Sequence, residues 1–252
     1  MSTPEILTER EDGVLRVCIQ RPDKKNALTL AMYAALTAAL DEAARDSTIR
    51  VVVLTGGGDS FTSGNDIADF LAAPPNSQDS PVFQFLAALR QFEKPLVAAV
   101  NGMAVGIGVT LLLHCDLVYV RAGATLLMPF VNLGLCPEAG SSLLLPRLIG
   151  YPRAAELLLL GEPFGAEQAL EWGLINGIGA DADATLELAL ARARRLARQP
   201  AAAVRLAKKL LKRGEAEAVR ETIAVESQHF INLLGSPEAM AALRAFVDRR
   251  RS

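Results

Sequence analysis

Between Lys94 and His114 the chain runs for nineteen residues, 95–113, without a charge. By length that run is a candidate membrane span. Its breakers exclude one: Asn101-Gly102, Gly106 and Gly108 divide it into an apolar strand over 95–100, a glycine-rich turn, and a buried helix near 109–113. A strand, a glycine turn and a helix in that order form a junction at which backbone N–H groups meet a ligand. The same order occurs upstream, where Arg50-Val51-Val52-Val53-Leu54-Thr55 is followed by Gly56-Gly57-Gly58 and then by Phe61-Thr62-Ser63-Gly64-Asn65-Asp66-Ile67.

Around these two units the periodicity predicts a strand over 14–20, a polar loop over 21–26, and a helix capped by Thr29 with Met32, Leu36 and Leu40 on one face. Strands follow over 115–120 and 125–128. Pro129, Asn132, Gly134 and Pro137 then interrupt the chain, and 141–149 is helical. From residue 151 onward the pattern is helical over 151–160, 166–172, 184–198, 200–213 and 215–249, with a break at Gly235-Ser236-Pro237. The fold class is therefore α/β followed by α, with a core over 1–195 and a helical region over 196–252.

The 252 residues are 51% hydrophobic but only 5% aromatic, so the core is aliphatic. Lys and Arg number 26 against 28 Asp and Glu, a net charge of −2, which provides no global field for nucleic acid or an anionic membrane. A basic stretch over 188–214 has no interleaved aromatics and reads as helices with solvated faces. Cys18, Cys115 and Cys136 read as small buried side chains in a reducing, cytoplasmic setting. Neither they nor His114 and His229 have metal-ligand spacing, so no metal site is expected. Residues 1–10 lack the pattern of a secretory signal, and 249–252 do not match the peroxisomal address.

Gly64 and Gly106 each permit close approach just before a helix, so amides beside them can converge on one carbonyl oxygen as an oxyanion hole. On spacing alone such turns are more often simply tight turns. Glu138, after Pro137 at a helix start, reads by itself as a first-turn carboxylate complementing the helix dipole.

Three stretches change that weighting: Arg21-Pro22-Asp23-Lys24-Lys25-Asn26-Ala27-Leu28, Ser63-Gly64-Asn65-Asp66-Ile67, and Lys94-Pro95 through Gly106. With Cys115-Asp116-Leu117-Val118-Tyr119 and the 165–176 segment, they make the chain resemble the enoyl-CoA hydratase/isomerase (crotonase) superfamily over nearly its whole length. The resemblance implies a spiral of ββα repeats and a C-terminal helical trimerisation region. A homotrimer or dimer of trimers is expected, acting on an acyl-CoA thioester, with coenzyme A part of the substrate and no separate cofactor.

By the same resemblance, Asn65 and Ile107 donate the two oxyanion amides. Ile107 stands where the family usually has Gly, which implies a differently shaped pocket. The family's hydratases hold water between two glutamates, at positions that here are Thr110 and Phe130. The Pro137-Glu138-Ala139-Gly140-Ser141-Ser142 stretch is similar to that of monofunctional Δ3,Δ2-enoyl-CoA isomerases, where a Glu at this place is the sole acid/base. Leu127, Met128, Phe130 and Leu135 would raise its pKa. Lys24 and Lys25 are expected to face coenzyme A phosphates, and the backbone at Ala27, Ser63, Gly64, Asp66 and Ile67 to embrace the cofactor moiety. Phe246 with Arg249 and Arg250 resembles the segment that reaches a neighbouring subunit's ligand. The expected activity is 3-enoyl-CoA to trans-2-enoyl-CoA isomerisation in unsaturated fatty acid degradation. The alternatives are hydration of 2-enoyl-CoA, another crotonase reaction, or a non-catalytic acyl-CoA-binding or scaffold role.

Overall fold

A computed structural model describes residues 5–249. The chain opens with a hairpin, β1 (Ile6–Glu11) and β2 (Val14–Ile19), turned by Asp12 and Gly13, both at positive φ. Next comes α1 (Leu30–Arg45), whose N-cap Thr29 accepts a hydrogen bond from the Met32 N–H at 3.2 Å, as its sequence predicts. Then follow β3 (Val51–Gly56), β4 (Ser60–Thr62), α2 (Ile67–Ala72), α3 (Pro81–Gln91), β5 (Leu96–Val100), β6 (Met103–Val105) and α4 (Ile107–Thr110). The helix expected near 109–113 thus begins earlier and tightens into a 3-10 turn, Leu111–His114. The middle of the chain holds β7 (Leu117–Arg121), β8 (Thr125–Leu127), α5 (Ser141–Ile149), α6 (Tyr151–Leu160), β9 (Phe164–Gly165), α7 (Ala166–Glu171) and β10 (Gly177–Gly179). Four helices finish it: α8 (Ala182–Ala197), α9 (Ala201–Lys212), α10 (Ala216–Leu234) and α11 (Pro237–Arg249).

The strands sort into two sheets, ordered β1-β2-β3-β5-β7-β10 and β4-β6-β8-β9. Each of the pairs β3/β4, β5/β6 and β7/β8 gives one strand to either sheet, which is the ββα spiral that the resemblance implies. The larger sheet is parallel from β2 to β10 and covered on both faces at its centre, so β3 and β5 are buried along nearly their whole length rather than alternating. Val52, Leu54, Ala98 and Val118 pack with Leu36 and Leu40 of α1 on one face; Val51, Val53, Val97 and Ala99 pack with Ala189 and Ala193 of α8 on the other. Position 195, where the expected core region ends, lies within α8. The short strands β9 and β10 fall in the gaps between the helices expected after residue 151, where pairing with β8 and β7 outweighs glycine's poor strand preference.

The 95–113 run becomes β5, β6 and α4, and no helix among the described residues is long and apolar enough to cross a membrane. All three cysteines are half-buried free thiols, less covered than expected. The basic stretch also departs from a purely solvated face. Lys208 of α9 is 8% exposed, and its ammonium donates to the Lys94 carbonyl and to Asp116 Oδ2, both at 2.7 Å. Asp116 Oδ2 also accepts from the Leu96 N–H at 2.7 Å, and the Lys94 ammonium donates to the Ala43 and Asp46 carbonyls at the end of α1. One charged cluster thus ties α9, α1 and the start of β5 together.

Lys208→Met leaves Asp116 half-satisfied at that junction. Urea denaturation should show a loss of about 2 kcal/mol, below the cost of breaking a fully buried pair because Asp116 keeps some solvent contact.

Candidate active site

Gly106 joins β6 to α4 with φ 57° and ψ −117°, a conformation essentially reserved for glycine. Its N–H donates to the Leu127 carbonyl at 2.8 Å, and its own carbonyl accepts from Val109 and Thr110. The next amide, Ile107 N–H, opens the helix and meets no acceptor among the described residues. Gly64, at φ 86°, makes the matching turn: a Cβ there would come 2.9 Å from the Val105 carbonyl oxygen, so the two turns lie side by side. Its N–H is taken by Thr62 Oγ1 and its carbonyl by the Leu28 N–H, which leaves the Asn65 amide likewise without an acceptor among the described residues. The Asn65 side chain is fixed from behind, its Oδ1 accepting the buried Tyr33 hydroxyl of α1.

Both amide-bearing residues border a cavity of about 320 Å³ whose walls include Phe70, Leu127, Phe130, Phe230, Leu234 and Phe246. Glu138 lines it too, at 2% exposure, and neither carboxyl oxygen has a hydrogen-bond partner among the described residues. Burial first, and the nearby negative charge of Glu226 second, push its pKa up to about 8. Glu138 is not a first-turn residue of α5, which starts at Ser141; it sits in the preceding turn, with Ala139 at φ 60° and Gly140 at φ 74°. The His114 ring holds that turn, its Nε2 lying 2.7 Å from the Ala139 carbonyl. Burial lowers the His114 pKa to about 4, so near neutrality the ring is uncharged and its Nε2–H donates to the carbonyl.

The remaining expected residues divide by position. Ser63, Gly64 and Ile67 line the cavity with Asn65. Lys24 and Lys25 are exposed on the neighbouring loop, laced to the Gly64 turn where Ser63 N–H donates to the Lys25 carbonyl at 2.9 Å. Ala27 is buried, and its carbonyl accepts from Arg21. Asp66 serves the local architecture, since its amide bonds the Leu28 carbonyl while its carboxylate caps α2 and pairs with Arg21 at 2.7 Å. Phe246 lines its own chain's cavity, because α11 turns back at Gly235-Ser236 and packs Ala239 against Gly134. Arg250 lies outside the described residues. Thr110 is fully buried with a hydroxyl that has no partner among the described residues, and Phe130 forms cavity wall.

Sequence reading missed Tyr33, His114, Glu226 and Asn26. The Asn26 side chain is fully buried at φ 57° and bonds Arg21 N–H and the Gly57 and Ser60 carbonyls, locking the 21–28 loop beneath β4. A readable signal existed for Glu226 alone, a carboxylate one turn from Phe230 and two from Leu234 on a helical stripe.

The chain matches the family model described as enoyl-CoA hydratase/isomerase over residues 9–252. It is 36% identical to enoyl-CoA delta isomerase 2 of Rattus norvegicus over 97% of this chain, and spans 64% of that protein's length. It is 35% identical to 2,3-dehydroadipyl-CoA hydratase of Escherichia coli strain K12, over 98% of this chain and 96% of the relative. The solved structure of Pseudomonas aeruginosa OdaA has a TM-score of 0.95 at 54% identity, covering 97% of this chain and 99% of that one.

Because the folded-state pKa of Glu138 lies above its ordinary 4.5, the folded protein keeps a proton that the unfolded chain releases. Its contribution to stability is complete below the ordinary value and is lost as pH rises through about 8. Melting curves should therefore show Glu138→Gln gaining on the wild type across that window, while the two change in parallel at lower pH.

Proposed function

The chain belongs to the enoyl-CoA hydratase/isomerase family, and on that premise we propose that it is a Δ3,Δ2-enoyl-CoA isomerase, turning 3-enoyl-CoA into trans-2-enoyl-CoA. The observation that carries the reading is that Glu138 is, among the described residues, the one ionisable side chain lining the cavity, beside two unpartnered amides. The thioester oxygen accepts from the Asn65 and Ile107 N–H groups, which stabilise the dienolate as charge moves onto it, each by about 3 kcal/mol. The Glu138 carboxylate takes the proton from C2. Now neutral, the same carboxyl returns it to C4 while the double bond moves to C2–C3. Nothing is added or lost, so no water needs holding. A carboxyl with no hydrogen-bond partners can turn between the two carbons, and a pKa of about 8 suits a group that must both accept and release a proton near neutrality.

Water addition requires a group to orient and deprotonate the water and one to protonate carbon. The two places from which the family's hydratases do this are filled by Thr110 and Phe130. The aliphatic and aromatic walls favour a hydrocarbon acyl chain over one ending in a carboxylate, for which the lining offers no cation among the described residues. Unsaturated fatty acid degradation supplies such acyl groups. In this reading Lys24 and Lys25 meet coenzyme A phosphates from the exposed loop, and the backbone near Ala27 and Ser63 receives the rest of that moiety. Assembly as a homotrimer or dimer of trimers is supported by Leu206, Leu210 and Leu211, which α9 leaves 56%, 57% and 85% exposed.

Separate incubations with a 3-enoyl-CoA and a 2-enoyl-CoA, followed by absorbance, should show conjugation of the first and little hydration of the second. Faster hydration than isomerisation overturns the proposal. Glu138→Gln should lower kcat by about a thousandfold. Reversing both Lys24 and Lys25 to Glu should raise KM more than it lowers kcat.

A further inference from the structure

Glu226 is buried, close to Glu138, and unused by the mechanism above. It shares a face of α10 with Phe230 and Leu234, which wall the cavity. Its Oε2 accepts from the Gly140 N–H at 2.6 Å; its Oε1 accepts from the Ser142 N–H at 3.0 Å and the Ser142 hydroxyl at 2.5 Å. The Cys136 thiol donates to the Glu226 carbonyl at 3.6 Å. These contacts grip the loop on either side of residue 138. Burial raises the Glu226 pKa above its ordinary value, and the hydrogen bonds from Ser142 and Gly140 oppose that rise by favouring the carboxylate.

We infer that Glu226 is a positioning residue for Glu138: it fastens the 136–142 loop to the helix that walls the cavity and holds a second carboxyl group beside that of Glu138. The inference rests on Glu138 being the acid/base proposed above. The other groups facing Glu138 keep their charge near neutrality. Tyr33, on α1, has a hydroxyl that burial and the Glu138 charge raise well above 10. Burial pushes the Cys136 thiol of the same loop to about 11, and His114, from the 3-10 turn after α4, is held neutral at about 4. Lys212 and Lys208 lie behind that turn, bonded to the His114 carbonyl and to Asp116. Of these groups Glu226 is therefore the one whose negative charge opposes ionisation of Glu138. Phe230 and Leu234 link this control to the bound acyl chain, since whatever shifts α10 shifts the loop with it.

The test is a carbon-13 NMR titration of glutamate carboxyls in the full chain, with the Glu138 signal identified by its loss in Glu138→Gln. In Glu226→Gln, which keeps the shape and removes the charge, the Glu138 midpoint should fall by about one pH unit. An unmoved midpoint in folded Glu226→Gln overturns the inference. If that variant does not fold, the wild type decides: a two-step Glu138 curve that follows Glu226 ionisation supports the inference, and a single step rejects it. The pH–kcat profile with 3-enoyl-CoA should move its acid limb in the same direction. Because the titration needs no turnover, a wild type that fails to isomerise refutes the proposed reaction while leaving the role of Glu226 to be judged by the midpoints.

Discussion

Two backbone amides and one carboxyl, all deprived of protein partners among the described residues, face a common apolar space. Each such buried group costs about 1–3 kcal/mol that its surroundings must offset. That arrangement dictates much else. The amides escape bonding because Gly64 and Gly106 hold conformations that turn the following N–H out of any ladder, and the start of α4 packs tightly on β4, where a Cβ at Gly108 would lie 2.6 Å from the Thr62 methyl group. The carboxyl stays unpaired while its turn is held through the backbone just after it, by His114 at the Ala139 carbonyl and by Glu226 at the Gly140 N–H. The doubly covered sheet, apolar on both faces, supplies the burial against which such costs are tolerated.

Charge is used inside this fold for position as well as for chemistry. Lys208, Lys94 and Asp116 join elements that are far apart in sequence, and Asp66 with Arg21 joins the loop of the two lysines to the start of α2. The C-terminal helices are part of the same device. Helix α9 is anchored through Lys208, α10 and α11 close the cavity through Phe230, Leu243 and Phe246, and α10 also carries Glu226. The region after β10 therefore completes the site within its own chain while leaving leucines of α9 turned outward.

Elements whose signals are local were legible. The Thr29 cap, the glycine junctions after β3 and β5, the helical period of α8 to α11 and the break between α10 and α11 all depend on neighbours within a few residues. Elements that exist only through distant pairing were not: β9 and β10 are too short and too rich in glycine to announce themselves, and form because β8 and β7 offer them open edges. Lys208 belongs with these, since a lysine in a basic helix gives no local sign that a half-buried aspartate lies opposite it.

What the sequence by itself determined is the inventory of the candidate site: two glycine turns able to present amides and one glutamate behind a proline, which are properties of residue type and spacing, while the resemblance to the family added that Thr110 and Phe130 stand where its hydratases have glutamates. Only the tertiary structure decided that Glu138 lies ahead of its helix rather than in it, that Tyr33 braces Asn65, that Phe246 walls its own chain's cavity, and that Glu226 sits against the Glu138 loop. The physical reason is that burial, and the charge effects that depend on it, arise from groups drawn together across many tens of residues, whereas turns and caps are settled by bonds between near neighbours.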